Sequence, residues 1–195
     1  MKTQQKLPVV LDVETKHTFR DYTSHKKLGI SVGAVYDYAK GQSEVFLEEE
    51  LNTLFRILEN ASYIIGYNVN NFDIPVLQAY YPGDLSRLPA FDILDEIKEK
   101  IGKRLALNDV LYATFGKRKT GHGLDAVNLY KEGKLDELKR YCLDDVALTR
   151  ELFDYGVEHG KIFYLNAVKK VEIPVSWKKY LESPKKTDTA LTLPF

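Results

Sequence analysis

Apolar and polar positions alternate with period two over 8–15, setting Val9, Leu11 and Val13 on one face of a strand and Val10, Asp12 and Glu14 on the other. Two carboxylates two residues apart therefore point the same way. Two further β-rich stretches, 29–38 and 43–47, are joined through Lys40, Gly41 and Gln42, a turn short enough for a hairpin, so the chain opens as a β-meander. Over 48–60 the period becomes helical. Leu51, Leu54, Phe55 and Leu58 form one stripe, and the three glutamates ahead of them suit the positive end of a helix. Residues 63–67 read as a short buried strand, followed by an Asn-rich turn and a helix that opens at Asp73 and runs through Tyr80.

Helical patterns dominate the second half. Asn108 is expected to cap a helix that ends near Gly116, another helix lies between Gly123 and Gly133, and a long one covers 135–155. On the long helix Tyr141 and Asp145 are four residues apart and share a face, and Asp144, three residues from Tyr141, can share it too. Two apolar stretches, 161–165 and 170–177, predict a late edge hairpin. From Glu182 the chain turns polar, which divides it into one folded unit, 1–181, and a tail, 182–195, expected to be flexible. No internal repeat is present.

With 195 residues, 44% of them hydrophobic, there is material for one sizeable core. Lys plus Arg and Asp plus Glu both number 28, which excludes the broad basic field of a duplex-coating protein and leaves room only for local contact with nucleic acid. Cys142 is the only cysteine, which excludes an internal disulfide and a Cys-rich zinc site, suits a reducing compartment, and reads as a small core residue. No signal peptide or apolar run long enough to cross a membrane is visible, so a cytoplasmic protein without membrane contact is expected.

The chemistry lies in three acidic segments in fixed order: Asp12-Val13-Glu14-Thr15, then Asn68-Val69-Asn70-Asn71-Phe72-Asp73, then Tyr141-Cys142-Leu143-Asp144-Asp145. Singly, each has a plain reading as a strand end, a helix cap or a charged helix surface. If they converge, four carboxylates share one pocket, and such a cluster either holds protons or recruits divalent cations. Oxygen-only ligands favour Mg2+ or Mn2+. Lys117-Arg118-Lys119, close to His122, reads equally well as a loop that grips phosphates or as a solvated basic loop.

These segments resemble the Exo I (D-x-E), Exo II (N-x-x-x-F-D) and Exo III (Y-x-x-x-D) motifs of the DEDD exonuclease superfamily over roughly residues 9–152. Arg140 stands where the histidine-bearing branch has its histidine, so the resemblance is to the tyrosine-bearing branch, and the run from Gly66 to Asp73 is similar to the proofreading domains of family B DNA polymerases. The resemblance implies an α/β, ribonuclease-H-like fold with a central mixed sheet of about five strands flanked by helices, the second strand antiparallel to the rest. It also implies two divalent cations, Mg2+ or Mn2+, held by Asp12, Glu14, Asp73 and Asp145, with Tyr141 orienting the attacking water. Thr15 and Asn68 are then expected to touch the terminal nucleotide, with Phe72 beside the metal site. The implied activity is 3′–5′ exonucleolytic hydrolysis of single-stranded nucleic acid, DNA favoured. Its rivals are a 3′–5′ exoribonuclease of RNA turnover and a nucleic-acid-binding module that kept the fold without turnover. The last six residues resemble the peptide with which bacterial replication and repair proteins dock on the sliding clamp; Leu191, Leu193 and Phe195 would be its anchors, with Ala190 where glutamine is usual.

Overall fold

The structure, a computed structural model, describes residues 6–119 and 123–182. It runs through β1 (Val9–Thr15), β2 (Ile30–Asp37), β3 (Gln42–Leu47), α1 (Leu51–Asn60), β4 (Ile64–Gly66), α2 (Asp73–Leu77), β5 (Ala90–Asp92) and α3 (Ile93–Ile101). There follow α4 (Leu107–Phe115), α5 (Gly123–Lys131), α6 (Leu135–His159), β6 (Lys161–Leu165) and β7 (Lys170–Pro174). The central sheet has five strands in the order β3-β2-β1-β4-β5. β2 pairs antiparallel with β1 and β3, while β1, β4 and β5 are mutually parallel, so β2 alone runs against the others. The fold is ribonuclease-H-like, with a mixed sheet flanked by helices.

The period-two pattern of β1 divides the molecule into two cores. Val9, Leu11 and Val13 face the side covered by α1 and α2, where the stripe of Leu51, Leu54, Phe55 and Leu58 closes over them. Val10 faces the other side, packed with Val32, Ala34 and Ile65 beneath α6 and its Leu138, Cys142, Val146 and Phe153. Near its end α6 approaches so closely at Gly156 that the Trp177 ring occupies the place of a Cβ. Phe153 and Trp177 stack 5.8 Å apart, and Tyr180 stacks on Phe91 at 4.0 Å, which ties the described chain beyond β7 to the sheet.

β1 outlasts its parallel neighbour. Val9 and Val10 pair with Ile64 and Ile65, but β4 ends at Gly66, so the far half of β1 borders an open crevice. On its other edge the β1–β2 register shifts between Glu14 and Thr15, leaving Ser31 as an extra residue on β2, a local bend of the kind common beside functional sites.

Four expectations need correction. Asn108 does not cap α4, whose N-cap is Ala106; the Asn108 side chain instead accepts a hydrogen bond from the Lys119 amide at 2.7 Å. The late hairpin forms, but β6 and β7 make a separate two-stranded sheet, and the second strand stops at Pro174 because Val175 and Trp177 turn into the core. The helix from Asp73 is regular only to Leu77, with turn-like bonding to Tyr80. β5 and α3 were not anticipated. His122 and the clamp-like residues Leu191, Leu193 and Phe195 lie outside the described residues.

Candidate active site

The site forms where β1 loses its neighbour. Because Asp12 and Glu14 follow Val10 on the α6 face, they emerge where that face stops being covered, and the first half of α6 brings Asp145 against them. Carboxylate oxygens of Asp12, Glu14 and Asp145 all lie within 4.8 Å of one another. Asp145 is only 3% exposed, whereas Asp144 is exposed; helix spacing alone left both open, and it is the residue at the motif spacing that is turned toward the site. Asp73, at the start of α2, stands across the crevice with 4% exposure, and its Oδ1 accepts the Val13 N–H at 2.9 Å, taking up a backbone donor that no strand meets there. It lies outside the set of three but close enough to add its charge to that of Asp12.

Confining these groups shifts their protonation. Burial, then the charges of Glu14, Asp73 and Asp145, pushes Asp12 well above the usual carboxylate range. Burial first, with Asp145 next, raises Glu14 to about 8. Burial raises Asp73 to about 7 against the opposing hydrogen bond from Val13. Asp145 is raised too by burial, with Lys119 pulling it back. Lys119 Nζ reaches Asp145 Oδ2 at 2.5 Å, so the basic loop singled out in the sequence delivers one of its cations into the acidic site.

Tyr141, one turn before Asp145, brings a hydroxyl beside Asp145, Glu14 and Lys119 that is buried yet makes no well-formed hydrogen bond to a described residue. Cys142 is buried behind Asp12, its Sγ 3.5 Å from the Asp12 carbonyl oxygen. The resulting open cleft, about 450 Å³, is lined by Asp12, Glu14, Thr15, Phe72, Asp73 and Asp145, with Phe19 at its rim. Thr15 is buried and its Oγ1 donates to the His17 carbonyl at 2.7 Å. Asn68 does not line the cleft: its left-handed backbone, φ 72°, turns the chain, and its Oδ1 accepts from Arg104 at 2.7 Å. A larger groove of about 530 Å³ lies beside Lys6, Asp37, Lys40 and Arg56, without a carboxylate cluster.

A family model described as the RNase_H superfamily matches residues 9–157. The chain belongs to the RNase H superfamily. This RNase H-superfamily chain is also similar in structure to the family B DNA polymerase from the hyperthermophilic archaeon Pyrobaculum calidifontis, with a TM-score of 0.59 and 19% identity over 76% of this chain and 24% of that one. It thus spans about a quarter of the polymerase's length, and the likeness at this identity is one of fold. No curated protein matches the sequence. No helix among the described residues is long and apolar enough to cross a membrane.

Three features of this RNase H-like site escaped the sequence reading. Asp92 is buried at the end of β5 and accepts N–H bonds from Asn68 at 2.8 Å, Asn70 at 3.0 Å and Leu94 at 2.9 Å, so one carboxylate both caps α3 and holds the turn that leads to Phe72 and Asp73. An acidic residue ahead of Ile93-Leu94-Asp95-Glu96 was the available signal, a helix start. Phe19, 48% exposed, and His25 pack edge-on with Phe72 at 6.1 and 6.3 Å, and His25 Nε2 lies 3.0 Å from the Asn71 carbonyl. An aromatic residue inside the polar run from Lys16 to Asp21 was the only hint. The third is the inward turn of Lys119, for which the sequence held no signal.

Proposed function

We propose that this protein is a metal-dependent 3′–5′ exonuclease of single-stranded nucleic acid, with DNA the favoured substrate. The observation that carries the reading is the convergence of Asp12, Glu14 and Asp145 within 4.8 Å, beside a buried Tyr141 hydroxyl that makes no well-formed hydrogen bond to a described residue. The donor set suits hard divalent cations: it offers carboxylate oxygens alone, and like charges this close and this buried are stabilised by a cation. Asp12, Glu14 and Asp145 are the residues that would hold the ions, with Asp73 completing the charge from the α2 side. Two divalent ions held by these carboxylates would supply Lewis-acid chemistry, making a water acidic enough to attack and offsetting the charge that develops on a phosphodiester.

The protein's own groups do the rest. Tyr141 is pushed further above its ordinary range by burial and by the charge of Asp145, so its hydroxyl keeps its proton and serves to orient a water rather than to accept a proton from it. Phe72 offers an apolar wall to a terminal base, and Thr15, held through His17, borders the same cleft. Without a wide basic surface, the chain suits a strand end entering a local cleft rather than a duplex lying across a face. The preference for DNA rests on the resemblance of the motifs to polymerase proofreading domains.

The test is incubation of the protein with end-labelled single-stranded DNA and RNA in Mg2+, Mn2+ or chelator. Stepwise loss of 3′ nucleotides, dependent on metal and faster on DNA, is the expected outcome. Faster RNA digestion moves the substrate to RNA, and intact substrate under all conditions overturns the enzyme reading.

A further inference from the structure

We propose that Lys119 is a resident counter-ion of the acidic site: in the metal-free protein its ammonium stands among the carboxylates where a divalent cation belongs, and it must leave for the metal to enter. The inference rests on the metal-site reading above and goes beyond it by naming what the metal displaces.

The three cations of this loop face three ways. Lys117 pairs with Glu151 at 2.6 Å, and both side chains are more than a third exposed. Arg118 stacks its guanidinium on the Tyr112 ring at 4.4 Å. Lys119 instead turns inward, with its side chain 20% exposed, to meet Asp145 Oδ2 at 2.5 Å, and lies over the Tyr141 ring at 5.3 Å. Asp145, Tyr141 and Asp12 all stabilise its charge, and the ammonium in turn offsets the repulsion felt by Asp12, Glu14 and Asp145.

Charge sets the two cations in competition. A divalent ion of the Mg2+ class binds carboxylate oxygen at about 2.0–2.1 Å. An ammonium 2.5 Å from an oxygen of the same Asp145 carboxylate would then face a double positive charge a few ångströms away. The exchange needs only side-chain rotation. The Lys119 backbone N–H is tied to Asn108 Oδ1 at 2.7 Å, so the anchor can stay while the flexible four-carbon stem swings out. Lys119 is thus a positioning residue: it holds Asp145 in place in the site before metal arrives, and it competes with the metal for that carboxylate.

The experiment uses the full chain and Mn2+ alone, reading Mn2+ affinity by titration calorimetry and melting temperature in chelator and in Mn2+. Lys119→Met is expected to melt lower than the parent in chelator, to gain more on adding Mn2+, and to bind Mn2+ about tenfold more tightly, as follows when a competing ligand is removed. Lys119→Arg, which keeps the charge, should melt in chelator like the parent. A parent that binds Mn2+ while Lys119→Met binds it equally or more weakly overturns this inference and leaves the metal site standing. Failure of both proteins to bind overturns the two readings together, whereas binding by Lys119→Met alone supports displacement. Should Lys119→Met fail to fold, Asn108→Ala decides: it loosens the anchor but keeps the ammonium, so tighter Mn2+ binding supports the inference and unchanged binding overturns it.

Discussion

Leu11 and Asp12 are neighbours on β1 and belong to two different proteins in physical terms. Leu11 is 2% exposed, in an apolar core that the stripe of α1 closes. Asp12 faces α6, where the same treatment begins at Val10 but stops one step later, and the sheet's cover is replaced by four buried or half-buried carboxylates and a lysine. The α1 face is built for stability. The α6 face gives some up, since each clustered carboxylate is buried at a free-energy cost that only protons, Lys119 or a metal can offset. The contrast places the chemistry on the half of the strand where sheet pairing with β4 has ended.

The largest expected effect tests that division directly. Asp12→Ala should reduce metal-dependent cleavage to the assay floor while the metal-free protein melts at or above the parental temperature, because one repelling charge is gone; near-parental turnover would break the assignment of function to this face. Next, Tyr141→Phe removes a hydroxyl and no ligand, so the turnover number should fall by about 10²–10⁴-fold with Mn2+ affinity kept. A rate equal to the parent's, or lost metal affinity, removes the water-orienting role.

On the opposite face the signs reverse. Leu11→Ala should lower stability by about 2–5 kcal/mol in denaturant titration, as large-to-small changes in closed cores do, with the turnover of the remaining folded fraction unchanged. The acidic face should also show itself through pH. Glu14 holds its proton to about pH 8 when folded but releases it in the ordinary glutamate range when unfolded, so its contribution to stability is fully present at low pH and is lost as pH rises through 8. In chelator, melting temperatures taken from about pH 5 to about pH 9 should therefore fall more steeply for the parent than for Glu14→Gln. Parallel curves would show that Glu14 carries no such burden. The smallest effect belongs to Asp144→Asn, an exposed residue one position from the site: stability should stay within about 0.5 kcal/mol and cleavage near parental, and a marked loss of activity would reassign the ligand on α6.

Much of this was readable in local pattern. Alternation over 8–15 set Asp12 and Glu14 on one face, and the four-residue spacing of Tyr141 and Asp145 set both on one side of α6, because strand and helix periods follow from backbone geometry whatever the surroundings. The stripe of α1 and the glycine ends of the helices were equally local. The stretch 90–101 was not readable: Ala90, Phe91 and Asp92 are too few for a period and make a strand alongside β4, and α3 starts directly from that strand at the Asp92 cap.

What the sequence determined by itself was therefore most of the elements, which way the side chains of the periodic ones face, and which residue types are available for chemistry. Only the tertiary structure decided who meets whom. It buried Asp145 and left Asp144 exposed through the phase in which α6 lies on β1, took Asn108 from a helix cap to an anchor for Lys119, tied Asn68 to Arg104 rather than to the cleft, and turned one cation of three inward. The reason is the range of the forces. Backbone dihedrals and periodicity act over a few residues, whereas desolvation and Coulomb attraction act between groups that only the packed fold brings together, here across the 133 positions that separate Asp12 from Asp145.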